Sequence, residues 1–254
     1  MLKVFIGYDD RQILSFTTLV SSIYQYASRP VAISPLVLET LPIARRGLTP
    51  FTFSRFLVPW LCDFQGVAIF MDADMLFVSD VCELETNVSP DIAVSVVRSL
   101  DVYEQTSFML INCAHPSHKV LTPEFIESTD INLHALEWLK ETQIGELDPK
   151  WNQLVGYQEI DSREGNLHYT MGIPAFPETS TADAADIWRD CAKRATSTIP
   201  WVEIMCPSVH VITVEGVKFP KYVWDFEKNQ PKPEHFKVMK MLIDRSKEVR
   251  ETAV

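Results

Sequence analysis

The chain has 254 residues, of which 46% are hydrophobic and 22% charged, enough to bury a sizeable core as one large domain or one domain with an appendage. A formal net charge of -11 disfavours a duplex nucleic acid partner, which needs a basic surface, although a bound cation can reverse the field locally for an anion. Eight glycines beside 16 prolines argue against a glycine-rich phosphate loop, and Cys62, Cys82, Cys113, Cys191 and Cys206 form no CxxC pair, which suits reduced thiols in a cytosolic compartment better than a disulfide framework.

Leu2 to Ile6 is a short apolar run ending at Gly7, the pattern of a buried first strand. It is too short for a signal-peptide core, and no stretch approaches the apolar length that spans a membrane. Ile13, Phe16, Leu19, Val20 and Ile23 recur at helical spacing up to Tyr26, and Arg29-Pro30 stops that helix. Val31 to Leu38 reads as a second strand, completing a parallel α/β unit. Phe51 to Cys62 predicts a helix, and Val67 to Met71 a central strand with Asp72-Ala73-Asp74 directly behind it. Ile92 to Val97 and Ser107 to Ile111 are further strands. Ile131 to Lys140 and Ala182 to Ala195 have helical spacing, and Pro231 to Val254 reads as a charged C-terminal helix. Trp138, Trp151, Trp188, Trp201 and Trp224 are expected mainly in the core, with Trp151 also able to flank a sugar ring.

Two carboxylates one residue apart at the end of a buried strand can reach the same hard cation, and in open α/β sheets ligands bind beyond the carboxyl ends of the strands. Between apolar runs such a pair is costly without a compensating charge. The spacing alone is weak, because an accidental Asp-x-Asp is common, and the bland alternative is a solvated or capping turn. His168 lies in His168-Tyr169-Thr170-Met171-Gly172, where a neutral imidazole is a suitable Mn²⁺ ligand and Gly172 allows close backbone approach to a phosphate. A structural histidine is the commoner case.

Phe53-Ser54-Arg55-Phe56-Leu57-Val58-Pro59, then Phe70-Met71-Asp72-Ala73-Asp74-Met75-Leu76, then Trp151-Asn152, then His168-Tyr169-Thr170-x-Gly172 stand in the order of the landmarks of family 8 glycosyltransferases, which the chain resembles from about residue 2 to about residue 176. The resemblance implies a GT-A fold, an α/β architecture with a mixed, mainly parallel sheet flanked by helices. It implies a nucleotide-sugar donor, most often a UDP-sugar, a Mn²⁺ or Mg²⁺ ion, retention of anomeric configuration and a carbohydrate or glycolipid acceptor. Asp72, Asp74 and His168 match the family's metal-binding positions, with Ala73 between the aspartates at the donor. Arg55 matches a basic residue that contacts the donor. Gly7, Tyr8 and Asp9 fall where the first strand meets the nucleotide base, Tyr8 to stack and Asp9 to accept a hydrogen bond. Gly172 belongs to the donor side, Asn112 to the polar contacts with the donor sugar, and Asn152 to an acceptor-side element. Asp74, Asn112 and Asn152 are therefore the expected catalytic residues. The expected organisation is one domain over 1–254, with a nucleotide-sugar-binding half (1–112), an acceptor-side half (113–230) and a C-terminal helical extension (231–254).

Two departures favour a second reading, a non-catalytic remnant that still binds nucleotide or sugar. Gly172 to Phe176 lacks the lysine that ends the histidine motif in better-known members, leaving Arg45, Arg46 or Lys150 as substitutes, and the segment Arg98 to Ser107 is short. A dehalogenase-like Mg²⁺ phosphatase is a third reading, but such enzymes carry Asp-x-Asp on the first strand. Lys237, Lys240, Arg245, Lys247 and Arg250 give the last helix a basic patch that would suit a peripheral membrane surface, although Glu248 and Glu251 interrupt it, which favours a solvated face.

Overall fold

The computed structural model describes residues 1–99, 101–196, 211–220 and 223–251; Trp201 and Cys206 lie outside the described residues. The chain divides into two compact units, Met1–Thr196 and Ser197–Val254.

The first unit runs in chain order through β1 (Leu2–Gly7), α1 (Ile13–Tyr26), β2 (Val31–Leu36), α2 (Phe51–Ser54), α3 (Val58–Leu61), β3 (Val67–Met71), β4 (Met75–Phe77), β5 (Val94–Val96), α4 (Val102–Thr106), β6 (Phe108–Asn112), α5 (Pro123–Ser128), β7 (Ile144–Glu146), β8 (Gln153–Leu154), β9 (Asn166–His168) and α6 (Ala185–Ala195). A six-stranded sheet has the order β2-β1-β3-β6-β5-β7. β1 pairs in parallel with β2 and β3, and β5 with β7, while β6 runs antiparallel to both β3 and β5. The strands read as nearly continuous apolar runs because both sheet faces are covered. Phe5, Ala68, Phe70, Met109 and Ile111 pack on one side with Phe51, Phe56 and Leu57. Val4, Ile6, Ile69, Met71 and Leu110 pack on the other with Leu19 and Ile23 of α1. A smaller sheet, β4-β9-β8, continues beyond the end of β3.

Two predicted helices depart from expectation. Phe51 to Cys62 is broken into α2, a 3-10 turn at Arg55–Leu57 and α3. Pro59 has no N–H to give the Arg55 carbonyl four residues earlier, so the middle of the segment tightens instead of continuing. Ile131 to Lys140 is a series of turns. There Asn132 Oδ1 accepts from the Ala135 N–H at 3.1 Å, Glu137 Oε2 accepts from the Asn132 N–H at 2.6 Å, and Leu136 adopts a φ of 57°. Side chains thus take up backbone groups that a helix would have paired. Its apolar residues still serve the core, where Leu133 and Leu136 are buried.

The core also encloses two neutral histidines. His118 Nε2–H donates to the Ala93 carbonyl at 3.0 Å, and burial pushes its pKa down to about 4. Burial and then the nearby Arg55 push His134 down to about 3. Both values fall below that of the unfolded chain, so the unfolded state takes up protons first. Stability is fully present above about pH 6.5 and declines as pH falls toward the folded values. Replacing His118 by glutamine is expected to flatten the acid limb of urea-unfolding stability by about 2 kcal/mol between pH 7 and pH 5. An unchanged slope would refute the neutral buried state.

The second unit carries the antiparallel pair β10 (Val211–Val214) and β11 (Val217–Pro220), the short pair β12 (Trp224–Asp225) and β13 (Gln230–Pro231), and α7 (Pro233–Glu251). Met239 and Ile243 of α7 are buried with Phe219 and Val223. Lys237, Lys240, Arg245 and Lys247 are exposed, and Lys247 pairs with Glu215 at 2.6 Å. Among the described residues no helix is long and apolar enough to cross a membrane.

Candidate functional site

Asp72-Ala73-Asp74 forms the turn from β3 into β4. Ala73 is buried in the core, which leaves the two flanking carboxylates on the other side of the turn. The Asp72 N–H donates to the Ser107 carbonyl at 2.9 Å, holding the turn against the start of β6. His168 arrives from almost a hundred residues away because of strand register: β9 is antiparallel to β4 with His168 opposite Met75, and the Tyr169 N–H donates to the Asp74 carbonyl at 2.9 Å. His168 Nε2 then stands 3.3 Å from Asp74 Oδ1. Ligand atoms of Asp72, Asp74 and His168 all lie within 4.8 Å of one another, a group able to hold a metal ion.

The electrostatics fit such an ion. Asp72 Oδ1 and Asp74 Oδ1 are buried without a hydrogen-bond partner among the described residues. Buried carboxylate oxygens without hydrogen bonds are costly, and a cation would add to the charge that Arg55 and His168 already place beside them. Arg55, itself 4% exposed, places Nη2 3.1 Å from Asp72 Oδ1 as an ion-pair contact. Its Nη1 donates to the Thr106 carbonyl at 2.8 Å, its Nε to the Phe51 carbonyl at 3.3 Å, and its guanidinium lies 4.7 Å from the centre of the Phe70 ring. Burial raises the Asp72 carboxyl above its ordinary range, with Asp74 adding repulsion and Arg55 opposing. Burial alone would lower His168, but Asp74 above all, then Asp72 and Glu104, outweigh it and hold the imidazole above its usual value.

Asn152, in the 3-10 turn Pro149–Asn152, is buried and brings Oδ1 to 2.9 Å from His168 Nδ1. Gly7 ends β1 at the same edge of the sheet as Asp72, since Ile6 pairs with Met71. A Cβ on Gly7 would meet the Phe51 ring at 2.4 Å, so glycine permits the close approach of the segment that carries Arg55. Tyr8 stands edge-on to Phe16 with ring centroids 5.4 Å apart. Asp9 is 1% exposed and already bound by Arg11, whose Nη2 donates to Oδ2 at 2.6 Å and whose backbone N–H donates to Oδ1 at 3.0 Å. Gly172 has a φ of 117°, in the region that favours glycine, and its N–H donates to the Tyr169 carbonyl at 2.8 Å.

Asn112 does not join this group. β6 runs antiparallel to β3 and pairs Asn112 with Val67, so its amino end, not its carboxyl end, reaches the acidic turn. The residues that do come are Glu104, Thr106 and Ser107. Glu104 Oε1 accepts the Thr170 hydroxyl at 2.6 Å, and Oε2 lies 3.5 Å from His168 Nδ1. The short segment Arg98 to Ser107 hides a signal for this: Asp101 caps α4 by accepting from the Tyr103 N–H at 2.8 Å, which turns the next carboxylate toward the site.

None of the three basic substitutes for the missing lysine is free for that role. Lys150 lies 3.8 Å from Glu83 and 3.6 Å from Glu164. Arg45 donates to the Ile126 and Thr129 carbonyls and stacks on Phe53, and Arg46 pairs with Glu39. The four described cysteines are free and buried.

No family model matches the chain. Protein CDI of Arabidopsis thaliana is 32% identical over 219 residues, covering 73% of this chain and 84% of that protein. Among solved structures, the apo form of the bifunctional glycosyltransferase WbbM aligns with a TM-score of 0.60 at 14% identity over 80% of this chain and 51% of its own. The glycosyltransferase GlyE of Streptococcus pneumoniae TIGR4 aligns with a TM-score of 0.57 at 16% identity over 80% of this chain and 62% of its own. The galactosyltransferase LgtC, solved with donor and acceptor sugar analogues, aligns with a TM-score of 0.53 at 12% identity over 79% of this chain and 99% of its own. The chain thus spans about half the length of WbbM and under two thirds of GlyE. At these identities the structural likeness establishes the fold. With a mixed, mostly parallel sheet flanked by helices, the fold is of GT-A type, and the chain belongs to the family of the Arabidopsis protein CDI.

Proposed function

We propose that the chain is a family 8-like, retaining hexosyltransferase that moves a sugar from a UDP-sugar to a hydroxyl of a carbohydrate or glycolipid, using Mn²⁺ or Mg²⁺. The observation that carries this reading is the juxtaposition of Asp72, Asp74 and His168 at the carboxyl end of β3, with one buried oxygen on each carboxylate that makes ion-pair contacts but no hydrogen bond among the described residues. Those three residues would hold the ion, which supplies positive charge to offset the negative charge that grows on the diphosphate as the glycosidic bond breaks. Arg55 aims the Asp72 carboxylate and opposes the effect of its burial. Asn152 orients His168. Asp74 faces the imidazole Nε2 at 3.3 Å and accepts the Tyr169 N–H through its carbonyl, which locks the acidic turn to the histidine segment. The Glu104 carboxylate is engaged by Thr170, which disfavours it as a nucleophile and supports a front-side route in which the departing phosphate oxygen takes the acceptor's proton. Trapping of a covalent sugar–enzyme adduct by mass spectrometry would overturn that route.

One observation favours a nucleotide-sugar-binding protein without turnover: Arg45, Arg46 and Lys150 are all engaged away from the acidic turn. The phosphatase reading fares worse, because the Asp-x-Asp turn here follows β3 of a GT-A sheet. A thermal-shift panel separates the cases. UDP-sugars are expected to stabilise the wild type only with Mn²⁺, by RT ln(1 + [L]/Kd), or about 2.7 kcal/mol at a hundredfold excess over Kd. Asp74→Ala is expected to abolish the metal-dependent gain. Equal shifts in variant and wild type would refute the metal site, and stabilisation without release of UDP would select the non-catalytic reading.

A further inference from the structure

A neutral imidazole binds a metal through the nitrogen that lacks the proton, and the other nitrogen's N–H needs an acceptor. Around His168 these roles follow from the Glu104 carbonyl, which can only accept. It takes the Ser107 hydroxyl proton at 2.6 Å and an Asn152 amide N–H at 3.0 Å. Asn152 Nδ2 also donates to Ser107 Oγ at 3.1 Å. With its amino group turned that way, Asn152 presents its carbonyl Oδ1 to His168 Nδ1 at 2.9 Å. Ser107 Oγ, its own proton engaged, faces the same nitrogen at 3.5 Å, and so does Glu104 Oε2. Every group facing Nδ1 therefore accepts.

We propose that Glu104 and Asn152 are positioning residues that hold His168 as its Nδ1–H tautomer, so that the Nε2 lone pair faces Asp74 and the divalent cation. The proposal rests on the metal-site reading above and assigns its supporting residues. Glu104 contributes twice. Its carbonyl fixes the Asn152 amide, and its carboxylate, tied to the Thr170 hydroxyl, adds a third negative charge beside Asp72 and Asp74. Against Arg55 and a divalent cation, those three carboxylates bring the cluster to charge balance. Without Glu104 the loaded site carries one excess positive charge.

The test uses the full chain and Mn²⁺ alone, followed by the electron paramagnetic resonance of the free ion, with electron spin-echo modulation reporting an imidazole nitrogen on the bound one. Wild type is expected to bind Mn²⁺ with nitrogen modulation. Asn152→Ala and Glu104→Ala are expected to weaken Mn²⁺ binding about 10–100-fold and to reduce the modulation, a change that a purely structural role would not produce in a folded variant. Should either alanine variant fail to fold, Glu104→Gln, which keeps an acceptor for Thr170, decides instead: it should lose at least about threefold in affinity, and a smaller loss overturns the proposal. Variants that bind Mn²⁺ as wild type does, with full modulation, also overturn it while leaving the metal site standing. A wild type that binds no Mn²⁺ removes both.

Discussion

Arg55→Ala is expected to destabilise the Met1–Thr196 unit by about 3–5 kcal/mol in urea unfolding, nearer the lower figure because Asp72 retains some contact with solvent. Arg55 is a buried cation on three acceptors from three parts of the chain: the Asp72 carboxylate, the Thr106 carbonyl and the Phe51 carbonyl. Its removal leaves a buried carboxylate facing Asp74 and Glu104 without a counter-charge, and a carbonyl without its donor. Arg55→Lys keeps the charge but not the planar fork, so it should recover only part of the loss. The proposed cation offers Asp72 another counter-charge. Mn²⁺ should therefore restore more stability to Arg55→Ala than it adds to wild type. A loss below about 1 kcal/mol would mean that Asp72 finds a partner elsewhere, and the account of the cluster would fail.

The parts legible in the sequence are those fixed by local chemistry. α1 is bounded by its apolar spacing and by the Arg29-Pro30 stop, and β3 by an unbroken apolar run. The acidic pair stood out because carboxylates are rarely placed between apolar runs without reason. Asn112, expected beside the donor sugar from the resemblance alone, ends β6 opposite Val67, at the far end of β3 from the acidic turn. β6 is antiparallel, and residue spacing along one strand carries no sign of its neighbour's direction. The same reversal brings Glu104 and Ser107 to the acidic turn, and they were hidden for the same reason. The Ile131 to Lys140 turns carry helix-like spacing because Leu133 and Leu136 are both buried, while backbone N–H groups donating to the Asn132 and Glu137 side chains decide the backbone.

Trp151→Ala provides the second large effect and separates two readings of the Trp-Asn element. Trp151 is 2% exposed, sits with its ring centre 6.2 Å from that of Phe77, and gives its carbonyl to Asn166 Nδ2 at 3.1 Å. A side chain so enclosed has no face for a sugar, so its work is packing. Truncation to alanine should cost about 3–5 kcal/mol through lost contacts and the cavity left behind. Trp151→Phe, which keeps a ring against Phe77, should cost distinctly less. Because Asn152 follows directly and holds His168, the alanine variant should also bind Mn²⁺ more weakly than wild type at temperatures where both remain folded. A sugar-flanking tryptophan would give the opposite pattern: an unchanged urea midpoint and Mn²⁺ affinity, with a raised KM for acceptor alone. Which pair of measurements moves decides whether this element belongs to the acceptor or to the floor beneath the metal ligands.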